Sequence, residues 1–364
     1  MKCRILTTGF ALFSMFFGAG NLIFPLLIGK AAGDEVGYAL AGLGITAVLV
    51  PFLGLAAMIL YNGDAERFFG RFGFAILLLL QLILGPFGVI PRLVTLMHAM
   101  ISSHVIEMPL MLFSLLAGGF IFLCSFERER LIGFLGAFLT PILIASIIAL
   151  TYFGLTTPAE SLPTSMTASE SFWQGLLGGY NTMDLIAAFL FATVILPHFQ
   201  DEPKPLRALF LSGAIAATLL FLTYVSLCLI AVRHSALLTS AVPPEQTLGA
   251  IAVHLLGKTG GLIAAIAAFT ACLTTAMTLA SIFAGYLSRR IFQHKIGPTS
   301  ALALTLMMTA LMANLGFSGL AGVLNPLLQV LYPCLIALTF INLRGSYDVF
   351  CREHPTRLEN VGLG

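Results

Sequence analysis

The sequence predicts an all-α integral membrane protein with about ten membrane-spanning helices, and three observations carry that prediction. The 364 residues are 59% hydrophobic and only 9% charged, with a mean hydropathy of +1.00, whereas an ordinary soluble domain is roughly 25% charged. Nearly uncharged stretches of about 18 or more residues, the length a helix needs to cross lipid, recur from end to end. These stretches are continuous apolar runs, not the short segments of alternating polarity that a membrane β-barrel requires. A net charge of +2 gives no reason to expect a nucleic-acid partner.

Between charged or turn-rich breaks the runs fall at residues 5–29, 37–60, 74–101, 109–126, 131–154, 175–197, 207–232, 260–287, 299–315 and 321–343. The opening MKCRILTTGFALFSMFF resembles a signal peptide but lacks a small-residue cleavage pattern, and its apolar run is too long for one, so it is expected to remain as the first span. Basic residues orient the rest. Lys2, Arg4, Arg67, Arg71, Arg128, Arg130, Lys204, Arg207, Arg289, Arg290, Lys295, Arg344, Arg352 and Arg357 fall on one side, against Lys30, Arg233 and Lys258 on the other. The positive-inside rule therefore puts both termini in the cytoplasm. The segment 155–174 carries Glu160 and Glu170 and no basic residue, as an external loop should. It divides the chain into a first set of five spans (1–154) and a second (175–343), followed by a cytoplasmic tail (344–364). An odd number of spans per set makes any structural repeat an inverted one.

The first span contains FFGAGNLIFP, Phe16 to Pro25, and the sixth contains GGYNTMD, Gly178 to Asp184. Glycine costs roughly 1 kcal/mol against alanine inside a helix and proline roughly 3, so both spans are built to be interrupted. A break in hydrocarbon exposes backbone groups that cost several kcal/mol each unless protein, substrate or ion partners them. Glycine-interrupted segments at corresponding positions of two halves point to a transporter's central binding site. Gly18, Ala19 and Gly20 would let a zwitterion approach the backbone, with Asn21 adding an amide, and Gly179, Tyr180 and Asn181 would supply the matching break. Close helix crossing through the glycines is the competing explanation.

Two ionisable residues stand at membrane depth, Arg92 and Asp184, where charges are rare and usually functional. Arg92 follows GPFGVIP and serves either as a site residue or as an arginine that snorkels to the interface. Asp184 has three readings: it binds a substrate amine, pairs with Arg92, or caps the second half of span six. His98, His104 and His198 lack metal-ligand spacing, and the six cysteines are scattered, forming neither a disulfide framework nor a metal site. Walker A, H-E-x-x-H and G-x-S-x-G patterns do not occur, so no catalytic residue is assigned. Thirty phenylalanines and thirteen methionines line an apolar pocket as readily as they face lipid, and do not select a substrate.

GFALFSMFFGAGNLIFPLLIGKAAG resembles the opening of the bacterial branched-chain amino acid:cation symporters, the BrnQ-type family. The resemblance extends to GPFGVIPR (Gly85–Arg92), GGYNTMD, ACLTTAMTLA (Ala271–Ala280), ANLGFSGL and LYPCLIAL (Ala313–Leu338), in the family's order and over most of the chain. It implies a LeuT-type fold, a five-plus-five inverted repeat with helices one and six broken around the substrate. It also implies import of leucine, isoleucine and valine coupled to Na⁺ in a bacterial cytoplasmic membrane, with a small amino acid and the lipid bilayer as partners, no cofactor and no obligatory protein partner. Matching the family's sodium site places its carbonyls at Ser14 and Phe17 on helix one and its remaining oxygens at Ala271, Thr274 and Thr275. The last three stand at i, i+3 and i+4 on one helix face and offer hard oxygen ligands, although threonines in membrane helices also bond back to their own carbonyls. Family members commonly continue for two further helices, so the expectation here is a chain that ends after its tenth with the five-plus-five core complete. A proton-coupled or aromatic amino acid permease keeps the same fold, and a non-transporting sensor or structural protein on that core is the alternative from another class.

Overall fold

A computed structural model describes residues 2–125, 135–163, 165–199, 205–238 and 242–353. Arg128, Arg130, Lys204 and Arg357 of the orientation argument, the start of the fifth span and residues 354–364 of the tail lie outside them. Every regular element among the described residues is helical: α1 (Lys2–Phe16), α2 (Ala19–Ala32), α3 (Val36–Gly44), α4 (Val50–Leu60), α5 (Ala65–Phe69), α6 (Gly73–Leu84), α7 (Val89–His104), α8 (Leu110–Ser125), α9 (Thr140–Thr156), α10 (Ala168–Tyr180), α11 (Asp184–Ile195), α12 (Pro205–Arg233), α13 (Thr247–Tyr286), α14 (Pro298–Ala313) and α15 (Gly316–Glu353). Among the described residues seven helical runs are long and apolar enough to cross a membrane, and Arg4–Phe16, Leu110–Ser125 and Pro298–Ala313 are shorter apolar helices.

Local chemistry accounts for the boundaries, and some differ from the sequence expectation. α10 begins at Ala168, inside the segment expected to be external loop, because Thr167 and Glu170 form a capping box: Glu170 N donates to Thr167 Oγ1 at 3.3 Å and Thr167 N to Glu170 Oε2 at 2.8 Å, satisfying two otherwise unpaired donors. The run 74–101 is not one helix. It stops at Leu84 and restarts at Val89, since Pro86 cannot donate to a helix, whereas Pro91 falls in the first turn of α7, where a missing N–H costs nothing. α13 starts well before residue 260 and bends at Gly257, whose φ of +59° suits glycine. α15 continues into the segment expected as tail.

The helices associate in exchangeable pairs. α3 and α4, the second span, lie against α10 and α11, the two pieces of the sixth; α12, the seventh, lies against α1 and α2, the two pieces of the first; and α7 of the third lies against α13 of the eighth. Small residues allow the closest of these contacts, as in membrane helices generally. A Cβ on Gly175 would stand 1.9 Å from the Ala39 carbonyl oxygen, and one on Gly179 2.0 Å from Thr46 Oγ1. Gly179, expected beside the substrate, thus turns its bare face to α3's continuation. From Thr270 to Tyr286 α13 is buried all round, while α15 leaves Val323, Val330, Phe340 and Ile341 outward; outward apolar side chains are what a lipid environment accepts.

Charged ends gather at opposite faces of this bundle. At one, Arg4 Nη2 donates to the His198 carbonyl and Arg290 pairs with Glu66 at 2.6 Å. At the other, Arg233 Nη2 donates to the Thr157 carbonyl at 3.4 Å and the His234 ring bonds the Gly154 carbonyl at 2.9 Å. The two helix interruptions, at residues 17–18 and 181–183, lie between these faces.

Candidate functional site

α1 ends at Phe16 and α2 begins at Ala19, with Gly18 extended between them at φ −110°, ψ −159°. The last carbonyls of a helix and its first N–H groups have no partner within the helix. Here the carbonyl end of one helix and the N–H end of the next, Ala19, Gly20 and Asn21, meet across two residues, each with the partial charge of its dipole. The second interruption spans Asn181–Met183 between α10 and α11. The two touch: a Cβ on Gly20 would lie 3.0 Å from both the Asn181 carbonyl oxygen and Thr182 Cα.

On the α13 side, oxygens converge. Thr274 Oγ1 lies 2.8 Å from the Ser14 carbonyl oxygen and 2.9 Å from that of Ala271, and Thr275 Oγ1 lies 3.2 Å from each. The bond back to a threonine's own helix therefore does form, and a carbonyl from α1 is added to it. One hydroxyl proton cannot serve two carbonyls fully, so four oxygens meet with fewer protons than directions to fill. Two carbonyls and two hydroxyls, without nitrogen or sulfur, form a donor set suited to a hard cation. Phe17 is buried and stacks on Phe13 at 5.3 Å. The chain at Phe17–Gly18 passes beside the threonines, because a Cβ on Gly18 would stand 3.2 Å from Thr275 Oγ1.

The opposite side carries charge. Asp184, 1% exposed, accepts at Oδ2 from Asn21 Nδ2 at 2.7 Å and from the Tyr224 hydroxyl at 3.0 Å, and Asn21 Nδ2 also donates to the Tyr224 oxygen. Among the described residues no lysine, arginine or histidine pairs with it. Asp184 does not cap α11. The cap residue is Met183, held left-handed at φ +62° without a side-chain cap, a conformation costing roughly 1–3 kcal/mol in a residue other than glycine. Nor does Asp184 pair with Arg92.

Arg92, in the first turn of α7, does not snorkel. It is 2% exposed, with its guanidinium carbon 5.5 Å from the Phe24 ring centre and 5.0 Å from that of Phe317. Its Nε and Nη2 have no hydrogen-bond acceptor. Each cation–π contact contributes about 0.5–2 kcal/mol, short of the several kcal/mol that burying an ion costs, so this charge is incompletely compensated by protein. Phe24 also lines a cavity of ≈ 280 Å³ with Tyr180, Asn181, Gln174 and Gln329, just below the roughly 300–1,000 Å³ of small-molecule sites. Tyr180 stacks on Tyr332 at 4.8 Å, and the Tyr332 hydroxyl accepts from Leu185 N at 3.2 Å, satisfying a first-turn donor of α11.

The structure thus brings Ser14, Ala271, Thr274 and Thr275 together on one side of the Phe17–Gly18 interruption and Asn21 and Asp184 on the other, with Tyr180 and Asn181 lining the cavity and Arg92 packed against Phe24 of its wall. Sequence reasoning missed Tyr224, Tyr332, Phe24 and Phe317. A tyrosine in mid-span was the available signal for the first two, since a buried hydroxyl seeks a partner.

Residues 1–352 match the family described as branched-chain amino acid transport protein. The chain is 29% identical over 360 residues to the branched-chain amino acid permease BrnQ of Bacillus subtilis, covering 94% of this chain and 81% of that one. It is 30% identical to BrnQ of Escherichia coli K12, covering 94% and 81%, and 30% identical to the branched-chain amino acid transport system 3 carrier protein of Pseudomonas aeruginosa, covering 92% and 80%. Among solved structures, Mhp1 in its inward-facing conformation superposes with a TM-score of 0.58 at 17% identity, covering 95% of this chain and 77% of that one. A Na⁺-coupled sialic acid symporter in a substrate-bound outward-open state gives 0.53 at 12%, covering 93% and 78%. The fold is therefore shared with transporters of the LeuT type.

Proposed function

This chain belongs to the branched-chain amino acid transport protein family, and from that premise we propose that it is a secondary transporter carrying leucine, isoleucine and valine across a bacterial cytoplasmic membrane, with Na⁺ as the coupled ion and both termini in the cytoplasm. The observation that carries the reading is the contact between the two helix interruptions, with neutral oxygens on one side and a buried carboxylate on the other. The amino acid lies along Gly18, Ala19, Gly20 and Asn21, with Tyr180, Asn181, Asp184 and Arg92 around it. Na⁺ takes the carbonyl oxygens of Ser14, Phe17 and Ala271 and the hydroxyls of Thr274 and Thr275. Gly179 contributes by letting α10 approach α3.

Because only Phe17 and Gly18 separate the end of α1 from the start of α2, filling the cation site fixes the end of α1 and with it the N–H groups that begin α2. The ion and the amino acid then favour the same arrangement of the interruption, and each raises the other's affinity by the same factor. The test is uptake of radiolabelled leucine into proteoliposomes with and without an inward sodium gradient, with isoleucine, valine, phenylalanine and alanine as competitors. Sodium-stimulated uptake blocked by the branched amino acids alone is the expected result. Uptake indifferent to sodium but driven by a proton gradient would replace the coupling ion, and blockage by phenylalanine would replace the substrate class.

A further inference from the structure

The Arg92 guanidinium has a specific unsatisfied edge. Its two nitrogens without an acceptor are Nε and Nη2, and their N–H bonds lie side by side along one edge of the plane, the edge a carboxylate engages with both oxygens at once. We propose that Arg92 is the receptor for the substrate's α-carboxylate, gripping it bidentately through Nε–H and Nη2–H; this rests on the amino acid transporter reading given above.

Three observations aim the fork at the substrate. The side chain is 2% exposed, so solvent does not supply the two acceptors. Phe24 and Phe317 stand against the guanidinium; rings interact with its charge and orient its plane but accept nothing from its in-plane N–H bonds. Arg92 also belongs to the level of the interruption: Phe24 forms part of the cavity wall with Tyr180 and Asn181, and the next residue, Leu93, reaches within 3.1 Å of where a Cβ on Gly18 would be. The protein's own buried carboxylate is engaged elsewhere, since Asp184 is held by Asn21 and Tyr224. A buried guanidinium and a buried carboxyl group therefore lie near one interruption without pairing. An α-amino acid zwitterion supplies each with its opposite, carboxylate to Arg92 and ammonium to Asp184. A planar two-oxygen ligand matches this fork better than a spherical anion, and the surrounding phenyl rings suit an aliphatic side chain.

The test is equilibrium binding to the purified full chain at saturating sodium, comparing leucine with leucinamide, which replaces the carboxylate by an amide. Wild type should prefer leucine by on the order of 100-fold, as expected where a buried charge meets its partner. Arg92→Gln should weaken leucine by a similar factor while changing leucinamide by less than about 3-fold, which also shows that the variant is folded. Arg92→Lys keeps the charge without the fork and should lose about tenfold in leucine over leucinamide preference, so it stands in if the glutamine variant does not fold. Equal weakening of both ligands, unchanged leucine affinity, or a wild type that does not distinguish the two would overturn the proposal while leaving the transporter reading intact. A wild type that binds neither leucine nor any competitor would overturn that reading, and this proposal with it.

Discussion

The two sides of the Phe17–Gly18 interruption solve the same problem with opposite chemistry. Toward α13, Ser14, Ala271, Thr274 and Thr275 gather oxygens that carry no formal charge. Toward α11 and α12, Asn21 and Tyr224 surround the ionisable Asp184. A neutral oxygen cluster is inexpensive to bury because its members also bond one another, so it can persist whether or not an ion occupies it. A carboxylate without a cationic neighbour is costly to bury, and its environment is complete only when a positive group arrives. Under the proposed function, the first side suits a cation that comes and goes and the second the ammonium of the substrate.

The largest expected effect comes from the residue that joins the sides. Gly20→Val puts a branched side chain where even a Cβ meets backbone atoms of residues 181 and 182 at 3.0 Å, and backbone cannot move aside as a flexible side chain can. Overpacking of this kind costs roughly 1–3 kcal/mol or more, and it falls where the two interruptions must stay in register. Transport should be abolished with insertion and expression retained. Wild-type uptake by this variant would show that the interruptions move independently.

Asp184→Asn comes next. The amide keeps an oxygen for Asn21 and Tyr224 but removes the charge, so a partner ammonium loses its counter-ion in a buried setting. Leucine affinity should fall by on the order of 100-fold, with the sodium affinity of the leucine-free protein unchanged. Retained leucine affinity would remove the ammonium from this side.

Thr275→Ala addresses the other side and should be smaller. It deletes one neutral oxygen of the cluster, and the sodium concentration for half-maximal leucine binding should rise about tenfold, the equivalent of 1.4 kcal/mol. At saturating sodium leucine affinity should return to the wild-type value, because the coupling acts only through occupancy of the ion site. Superimposable sodium curves for the variant and wild type would remove Thr275 from the ligands.

The two sides also differ in how far they were legible in the sequence. The threonine cluster was legible through the resemblance to the BrnQ-type family, which placed Ser14, Ala271, Thr274 and Thr275 together; the shared helix face of the last three supported it, but spacing alone fits threonines bonding back to their own helix equally well. The interruptions were legible too, since glycine and proline act on their own backbone. Tyr224 was not, because it reaches Asp184 from a different helix and the sequence around it, FLTYVSLCL, reads as an ordinary apolar span. The same holds for Arg92: its depth was visible, but the rings of Phe24 and Phe317 that hold it come from helices far apart in the chain. Boundaries failed where a side chain outweighed hydropathy, as when Thr167 and Glu170 start α10 ahead of the apolar run. The break at residues 85–88 was foreshadowed by Pro86, yet the apolar composition on both sides masked it as a single span.

Tyr224→Phe should have the smallest effect, and it separates the two sides most cleanly. The hydroxyl accepts from Asn21 and donates to Asp184 Oδ2, so its removal takes one donor from the carboxylate and leaves Asn21 Nδ2 in place at 2.7 Å. The ring still fills its fully buried site, and no cavity larger than the oxygen forms. A single hydrogen bond to a charged group is worth about 1.5–3 kcal/mol, but Asn21 can move toward the free oxygen and recover part of that. Leucine binding should therefore weaken by about 3- to 10-fold, within the range that 1.4 kcal/mol per tenfold implies. Sodium binding measured without leucine should not change, since none of the cluster oxygens touches the Tyr224 hydroxyl. Combined with Thr275→Ala, the effects on leucine binding at saturating sodium should add, as they do for sites without a shared partner. If Tyr224→Phe alone displaced the leucine-free sodium curve as far as Thr275→Ala does, the two sides would be one network, and the division of labour between ion and ammonium would have to be abandoned.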